Sequence, residues 1–152
     1  MATLIEFFEV PPDADEAFLA EWHDARAGAT LYRALREDAA VRFVSIALDG
    51  GSYELVHEDG QVDEPGGVTL IEPFEGHEGF VAAWQRLRAL LATQRGYLGS
   101  RLYSATAEDL PYVAVIRWSS PLMRHRALQR PDVQMAAEPL RSFPTLYERA
   151  VI

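Results

Sequence analysis

The pattern of hydrophobic and polar positions divides the chain into short alternating runs and longer runs with a helical period. Residues 3–9 and residues 68–74 alternate and are rich in β-branched and aromatic side chains, which is typical of strands. After each of them, a Phe and a Trp stand four positions apart, which places both rings on one face of a helix. These pairs are Phe18 with Trp22 and Phe80 with Trp84. Each run therefore predicts a strand followed by an amphipathic helix.

The first part of the chain predicts four strands and one helix. Two prolines end the first strand, and Asp13 or Asp15 can cap a helix that runs to about residue 27. The sequence D-G-G-S at residues 49–52 is a signal for a tight hairpin before the last of these strands. The predicted strands are residues 3–9, 29–35, 42–48 and 53–57.

The second part predicts the same order of elements with additional helices. Its strands are residues 68–74, 98–105, 111–118 and 145–152. A first helix covers residues 77–93, and Ser120 before Pro121 is an N-cap followed by a first-turn proline, which predicts a second helix to about residue 130. Residues 131–140 predict a further short helix. The result is the β-α-β-β-α-β pattern of ferredoxin-like folds.

Short sequences in the first part recur in the second part in the same order. The sequence T-L-I-E-F-F-E at residues 3–9 matches T-L-I-E-P-F-E at residues 69–75. G-A-T-L-Y-R-A at residues 28–34 likewise matches G-S-R-L-Y-S-A at residues 99–105. Because an internal repeat indicates a duplicated structural unit, we interpret the chain as a tandem duplication. The first copy has a hairpin turn where the second copy has its second helix.

This interpretation divides the chain into two halves. Residues 1–58 form a degenerate half that lacks its second helix, residues 59–67 form a polar linker, and residues 68–152 form a complete half. A sheet with helices on one face leaves its other face in need of a partner. We therefore predict an α+β fold in which tandem ferredoxin-like halves pack sheet to sheet within one chain. Further association of this intrachain pseudo-dimer into a homodimer stays open.

The composition favours a folded protein that binds neither nucleic acid nor membranes. At 152 residues and 49% hydrophobic composition, the chain can bury a sizeable core. Its formal net charge of -9 is unsuited to phosphate backbones and to anionic membrane surfaces. No apolar run approaches the roughly 18 residues of a membrane-spanning helix, and no secretory leader opens the chain. We expect a soluble cytoplasmic protein.

Several kinds of catalytic group are missing from the sequence. There is no cysteine, which excludes disulfides, thiol nucleophiles and zinc–cysteine sites. All 14 basic residues are arginine, so no lysine is present to form a Schiff base or to bind phosphate in a P-loop. The histidines lie in separate elements without metal-ligand spacing, so we predict no metal site. They are His23, His57, His77 and His125.

Five motifs in the second half occur in the order found in one known family. They are V-T-L-I-E-P-F-E at 68–75, F-V-A-A-W at 80–84, G-Y-L-G-S-R-L-Y at 96–103, Y-V-A-V-I-R-W-S-S-P at 112–121 and F-P-T-L-Y-E at 143–148. With them, residues 68–152 resemble an antibiotic biosynthesis monooxygenase domain, and residues 3–57 resemble a degenerate copy of it. The family forms dimeric α/β barrels and includes cofactor-free quinone-forming oxygenases of aromatic polyketide pathways and haem-degrading monooxygenases. The resemblance implies that one chain builds the barrel that two chains usually form.

The resemblance also implies an oxidation that needs no cofactor. In the cofactor-free members, the protein helps to remove a proton from an electron-rich phenol or anthrone, and the resulting carbanion passes an electron to oxygen. The family places Asn in the first strand and a second Asn four residues before the Trp that ends the third strand. Here Glu72 and Ala114 occupy those positions, Trp118 is present, and the chain contains no Asn. The region of the next helix in which some members carry a Tyr holds Met123, Arg124 and His125.

Strand alternation suggests what replaces the missing groups. Leu70, Glu72 and Phe74 share one face of their strand, as do Tyr112, Ala114, Ile116 and Trp118 of another. If both faces look toward the helices, Glu72 lies in an apolar pocket beside Trp118, and burial raises its pKa toward that of a general base. We therefore predict Glu72 and Trp118 as catalytic residues. The predicted substrate-binding residues are Leu70, Phe74, Trp84, Tyr112, Ala114, Ile116 and His125.

Each assignment has a simpler structural alternative. Glu72 can instead face solvent or pair with an arginine such as Arg101 or Arg117. The two indoles can be ordinary core between helix and sheet. His125 belongs to a basic cluster that is either a solvated helix face or an anchor for a substrate carboxylate or phenolate.

We predict a cofactor-independent monooxygenase that oxidises a small aromatic, polyketide-type substrate with molecular oxygen. The working site is expected in the second half, because the first half has Asp49 where the second half has Trp118. Two alternatives stay open: a polyketide cyclase or isomerase that uses Glu72 for proton transfer, and a non-catalytic member that binds a ligand or partner. A filled or collapsed cavity beside Trp118 would favour the non-catalytic alternative.

Overall fold

The computed structural model of the chain describes residues 2–25, 28–140 and 145–150. Eight strands and four helices within them form one α+β unit with ferredoxin-like connections. In chain order they are β1 (Leu4–Phe8), α1 (Asp15–Ala25), β2 (Thr30–Ala34), β3 (Phe43–Ala47), β4 (Glu54–Gly60), β5 (Val68–Phe74), α2 (Phe80–Leu91), β6 (Tyr97–Ser104), β7 (Tyr112–Trp118), α3 (Pro121–Leu128), α4 (Pro131–Ala137) and β8 (Thr145–Arg149). None of these helices is both long and apolar enough to cross a bilayer.

The predicted strands and helices are present, with ends that differ by a few residues. α3 begins at Pro121 as predicted, and the Ser120 hydroxyl caps it by accepting a hydrogen bond from the Met123 backbone N–H at 3.2 Å. The predicted ends of α1 at residue 27 and of β8 at residue 152 lie outside the described residues. Between β3 and β4 the chain turns without a helix. The predicted hairpin does not form, because β3 pairs with β1 and β2 whereas β4 pairs with β6.

β4 extends beyond its predicted end and includes Asp59 and Gly60. Gly60 lies opposite Gly99 of β6, and a Cβ atom added to Gly99 would stand 2.5 Å from the backbone nitrogen of Gln61. Only glycine permits so close an approach of the two strands. Residues 59 and 60 therefore belong to the sheet, although they stand at the start of the predicted linker. The division into residues 1–58, 59–67 and 68–152 stays a prediction.

The strands hydrogen-bond into one curled sheet in the order β1-β3-β2-β8-β5-β7-β6-β4. The two separate sheets of our prediction are instead one sheet, because β8 pairs with β2 on one side and with β5 on the other. β4 in turn pairs with β6. The two outermost strands, β1 and β4, also meet at their starts. There the backbones of Thr3 and Tyr53 exchange hydrogen bonds of 2.7 and 3.1 Å.

The two faces of the sheet bury different cores. One face carries a cluster drawn from strands along the whole chain, including Ile5, Tyr32, Val44, Ile71, Val115 and Tyr147. The other face packs against the helices: Leu31 and Phe43 meet Trp22 of α1, and residues of β5 and β7 meet α2, α3 and α4. Because side chains alternate along a strand, the residues that precede and follow the members of this first cluster in the sequence point toward the helices. The candidate site lies on this helix-facing side.

Candidate functional site

A cavity of about 890 Å³ lies between the helix-facing side of the sheet and the helices α2, α3 and α4. Most of its lining is apolar or aromatic and includes Leu70, Phe74, Trp84, Ala114, Ile116 and Trp118. Its polar lining consists of Glu72, Arg124, Gln134 and Glu138. A mostly apolar cavity with a few polar groups is typical of a site for a small molecule.

The register of β5 and β7 places most of the predicted site residues in this cavity. The paired residues are Glu72 with Ala114, Leu70 with Ile116 and Val68 with Trp118. Glu72 and Trp118 are thus four rungs of the ladder apart, a separation of about 14 Å along the strand direction. Both residues line the cavity, but they are not in direct contact. The two residues lie near opposite ends of the part of the sheet that lines the cavity.

Glu72 is half-buried, and the ion-pair partners named as alternatives lie elsewhere. Arg117 points to the opposite face and donates to backbone carbonyls of the loop between β4 and β5. Arg101 pairs with acidic side chains of β4 and of that same loop. Neither arginine therefore binds Glu72.

Arg124, and not His125, is the basic residue of α3 that lines the cavity. Successive residues of a helix point about 100° apart, so the helix that turns Arg124 inward leaves His125 exposed. The prediction that His125 binds substrate is therefore not supported by this cavity, whose lining does not include it. Burial lowers the pKa of Arg124, and the negative charge of Glu72 raises it. A carboxylate of β5 and a guanidinium of α3 thus carry opposite charges in the same cavity.

Tyr112 also lies outside the cavity lining, although it shares a strand face with Ala114. Its ring stacks on Phe80 of α2, with centroids 4.4 Å apart and ring planes 22° apart. The end of α2 covers this part of β7, so Tyr112 is a contact between helix and sheet. The prediction that Tyr112 binds substrate is not supported by this position.

Two indoles wall the cavity. Trp84 of α2 and Trp118 of β7 are each 1% exposed, and both line the cavity. Tyr97 lies edge-on to Trp118 with ring centroids 5.6 Å apart, and His57 lies edge-on to Trp84 at the same distance. Each indole is therefore both core and cavity wall, so the two interpretations of the sequence are compatible.

A carboxylate of β4 holds both of the rings that contact the indoles. Asp59 Oδ1 accepts a hydrogen bond from the Tyr97 hydroxyl at 2.7 Å, and Asp59 Oδ2 lies 2.9 Å from His57 Nε2. Arg88 and Ser100 also donate to Oδ2, at 2.9 and 3.0 Å. Burial raises the pKa of Asp59, but these hydrogen bonds lower it by more, so it lies below its ordinary value. We call these five residues the Asp59 cluster.

The Asp59 cluster does not follow from the sequence pattern, because residue 59 falls in the predicted linker. The available signal was the spacing of His57 and Asp59, which places both side chains on one face of a strand. Their partners come from α2 and β6, and the sequence does not show that these elements lie beside β4.

The Asp59 cluster predicts a loss of stability in acid. The pKa of Asp59 is lower in the folded chain than the value near 3.9 of an unfolded one. Its ionised form therefore stabilises the fold above that value, and the contribution is lost as the pH falls through the lowered pKa. We expect the difference in urea midpoint between wild type and Asp59→Asn to shrink from about pH 5 to about pH 2. A difference that does not depend on pH would contradict this account.

The sequence matches no protein-family model and no curated protein. The fold is nevertheless similar to solved structures over almost the whole chain. An anthrone oxidase-like protein is 13% identical with a TM-score of 0.69, covering 98% of this chain and 90% of that one. A second similar structure is a ferredoxin-fold protein from Listeria monocytogenes 4b F2365, described as related to antibiotic biosynthesis monooxygenases. It is 13% identical with a TM-score of 0.65, and the match covers 99% of this chain and 94% of that one. A haem-degrading enzyme from Listeria monocytogenes is 14% identical with a TM-score of 0.62, and the match covers 96% of this chain and 97% of that one.

This likeness establishes the fold, and the described activities of these proteins differ. The residues of the cavity must therefore indicate the chemistry. Where the lining is described, none of it is His, Cys, Met or Tyr, the usual side-chain ligands of a haem iron. No three His, Asp or Glu side chains of the described residues group as a metal site either. The described part of the lining therefore does not fit a haem.

Proposed function

We propose that the chain is a cofactor-independent monooxygenase that oxidises an aromatic, polyketide-type compound with molecular oxygen. The observation that carries the proposal is a carboxylate, Glu72, that faces a mostly apolar cavity walled by Trp84 and Trp118. A volume of about 890 Å³ suits a ligand of several fused rings. In this proposal Glu72 is the general base and Trp118 lines the substrate site.

The proposed reaction begins with proton transfer from the substrate to Glu72. The electron pair of the broken C–H or O–H bond stays on the ring system as an enolate or phenolate. This anion gives one electron to O2, and the two radicals combine to form a carbon–oxygen bond and a peroxide. The O–O bond then breaks with loss of water, and a ketone forms at the oxidised carbon. For an anthrone, one oxygen atom enters the product, and the other leaves as water with both hydrogens of the CH2 group.

The cavity bears on the two alternative functions. A cyclase or isomerase would use Glu72 for the same proton transfer but would not consume oxygen. A filled or collapsed cavity beside Trp118 would favour a non-catalytic protein, and the cavity there is open. The open cavity therefore favours a protein that takes up a ligand.

The test of the proposal is oxygen uptake with a model anthrone, corrected for spontaneous oxidation in buffer. We expect the wild type to accelerate uptake, and Trp118→Phe to lower that acceleration about tenfold, because a smaller ring positions the substrate less well. Trp22→Phe is the matched control, since Trp22 packs against Leu31 and Phe43 on the first part of the sheet.

The outcomes separate the hypotheses. Absence of acceleration over buffer would contradict the oxygenase proposal for this substrate class. Acceleration that is equal in Trp118→Phe and wild type would place the site elsewhere. Conversion of the anthrone without oxygen would favour the cyclase or isomerase.

We also propose that the chain is a tandem duplication that forms an intrachain pseudo-dimer. The strand order β1-β3-β2 in the first part matches the order β5-β7-β6 in the second. The last strand of each part crosses to the other part, β4 to β6 and β8 to β2. A duplicated unit whose two copies exchange their last strands accounts for both observations. A further homodimer remains compatible with this arrangement.

A further inference from the structure

Arg124 is the one cationic side chain that lines the cavity in the described part of the chain. It is half-buried on α3, and no hydrogen bond joins its guanidinium to any residue in the described ranges. The nearby carboxylate that influences it is Glu72, on the facing strand. The N–H groups of Arg124 are therefore available to a ligand that enters the cavity.

A guanidinium in apolar surroundings is stabilised when an anion binds it. Burial disfavours its charged form, as the lowered pKa of Arg124 shows. Its planar N–H groups can make two parallel, charge-assisted hydrogen bonds to an oxyanion. Leu128 on the same helix and Trp118 on β7 give the cavity apolar surfaces that suit the rings of such a ligand.

We propose that Arg124 binds an oxyanion of the substrate, and that the substrate is a hydroxyaromatic ketone whose phenol or enol ionises in the cavity. Proton transfer to Glu72 moves a negative charge from the carboxylate to the ligand, so the total charge in the cavity does not change. Arg124 then stabilises the charge that develops on the substrate oxygen. The substrate assignment rests on the proposed oxygenase function, whereas the binding of an anion by Arg124 does not.

The test compares two ring systems of the same shape, 2-hydroxyanthraquinone and anthraquinone. The hydroxyl group of the first ionises, which changes its visible absorption, and the second stays neutral. At a pH at which the first probe is ionised, we expect the wild type to bind it about tenfold more tightly than Arg124→Gln does. Anthraquinone is expected to bind equally to both. Arg126→Gln is the matched control, because Arg126 is exposed on the same helix.

A second variant is expected to increase the affinity for the ionised probe instead of lowering it. Glu72→Gln removes the negative charge from the cavity, so it is expected to bind ionised 2-hydroxyanthraquinone several-fold more tightly than the wild type. This increase depends on charge and not on a loss of structure. Circular dichroism of each variant checks that the fold is retained.

Three results would overturn the inference. Equal affinity of Arg124→Gln and wild type for the ionised probe would show that Arg124 does not bind it. An equal loss for both probes would assign Arg124 a role in cavity shape alone. An equal loss in Arg124→Gln and Arg126→Gln would assign the effect to the surface charge of α3. Charge-selective binding without oxygen uptake would support the role of Arg124 and contradict the oxygenase proposal.

Discussion

Replacing Glu72 with Gln is expected to lower the protein-dependent rate of anthrone oxidation by about 100-fold. Gln has nearly the same shape, so the cavity should keep its size, but the amide does not accept the substrate proton. The measurement is the initial rate of oxygen uptake at saturating anthrone, after subtraction of the rate in buffer. Glu78→Gln is the matched control, because Glu78 is exposed ahead of α2 and is not among the residues that line the cavity.

The pH dependence of the rate gives the same test a second readout. If Glu72 is the base, the rate of the wild type rises with pH through its ionisation, and the residual rate of Glu72→Gln follows only the ionisation of free anthrone. A Glu72→Gln variant with the rate and pH profile of the wild type would show that another group removes the proton. The proposed oxygenase reaction would then be kept, but the residue that acts as its base would be unassigned.

Asp59→Ala is expected to lower the free energy of unfolding by about 3 kcal/mol. The change leaves the charge of Arg88 and the hydroxyls of Tyr97 and Ser100 without their acceptor behind the cavity walls. The Asp59 side chain is 25% exposed, which places the expected loss at the lower end of the range for paired charges. For a domain of this size, the melting temperature should fall by about 6–12 °C.

Urea unfolding near neutral pH measures this loss. Asp109→Ala is the control, since Asp109 is exposed and should change stability by less than about 0.5 kcal/mol. Tryptophan fluorescence of Asp59→Ala should also shift, because His57 and Tyr97 lose the group that holds them against Trp84 and Trp118. A loss of stability below about 1 kcal/mol would contradict the importance that we give to the Asp59 cluster.

The positions of Glu72 and Trp118 could be predicted because they depend on local geometry. Alternation has a period of two, so the faces of β5 and β7 follow from the sequence once the strands are recognised. Arg124 and His125 were harder to separate, because a one-residue change in helix phase exchanges the inward and outward positions. The phase of α3 is set by its start at Pro121 and by its packing against α4.

The Asp59 cluster and the single sheet could not be predicted, because both depend on pairing between distant segments. Asp59 meets Arg88, Tyr97 and Ser100 only because β4 pairs with β6. The hydrophobic pattern of β4 and β8 shows that they are strands, but it does not show which neighbours they bind. Two separate sheets and one continuous sheet therefore predict the same pattern of apolar positions.

The position of β8 between β2 and β5 has a consequence for how the protein is made. In this pairing, Tyr32 lies opposite Arg149, so two residues far apart in the sequence share a rung of the ladder. Translation runs from the N-terminus, and β2 keeps an unpaired edge until residues 145–149 have left the ribosome. Such long-range pairing is slow to form, and open strand edges attract other chains in the meantime. In the newly synthesised chain, one edge of β2 therefore stays without its partner strand until β8 has been made.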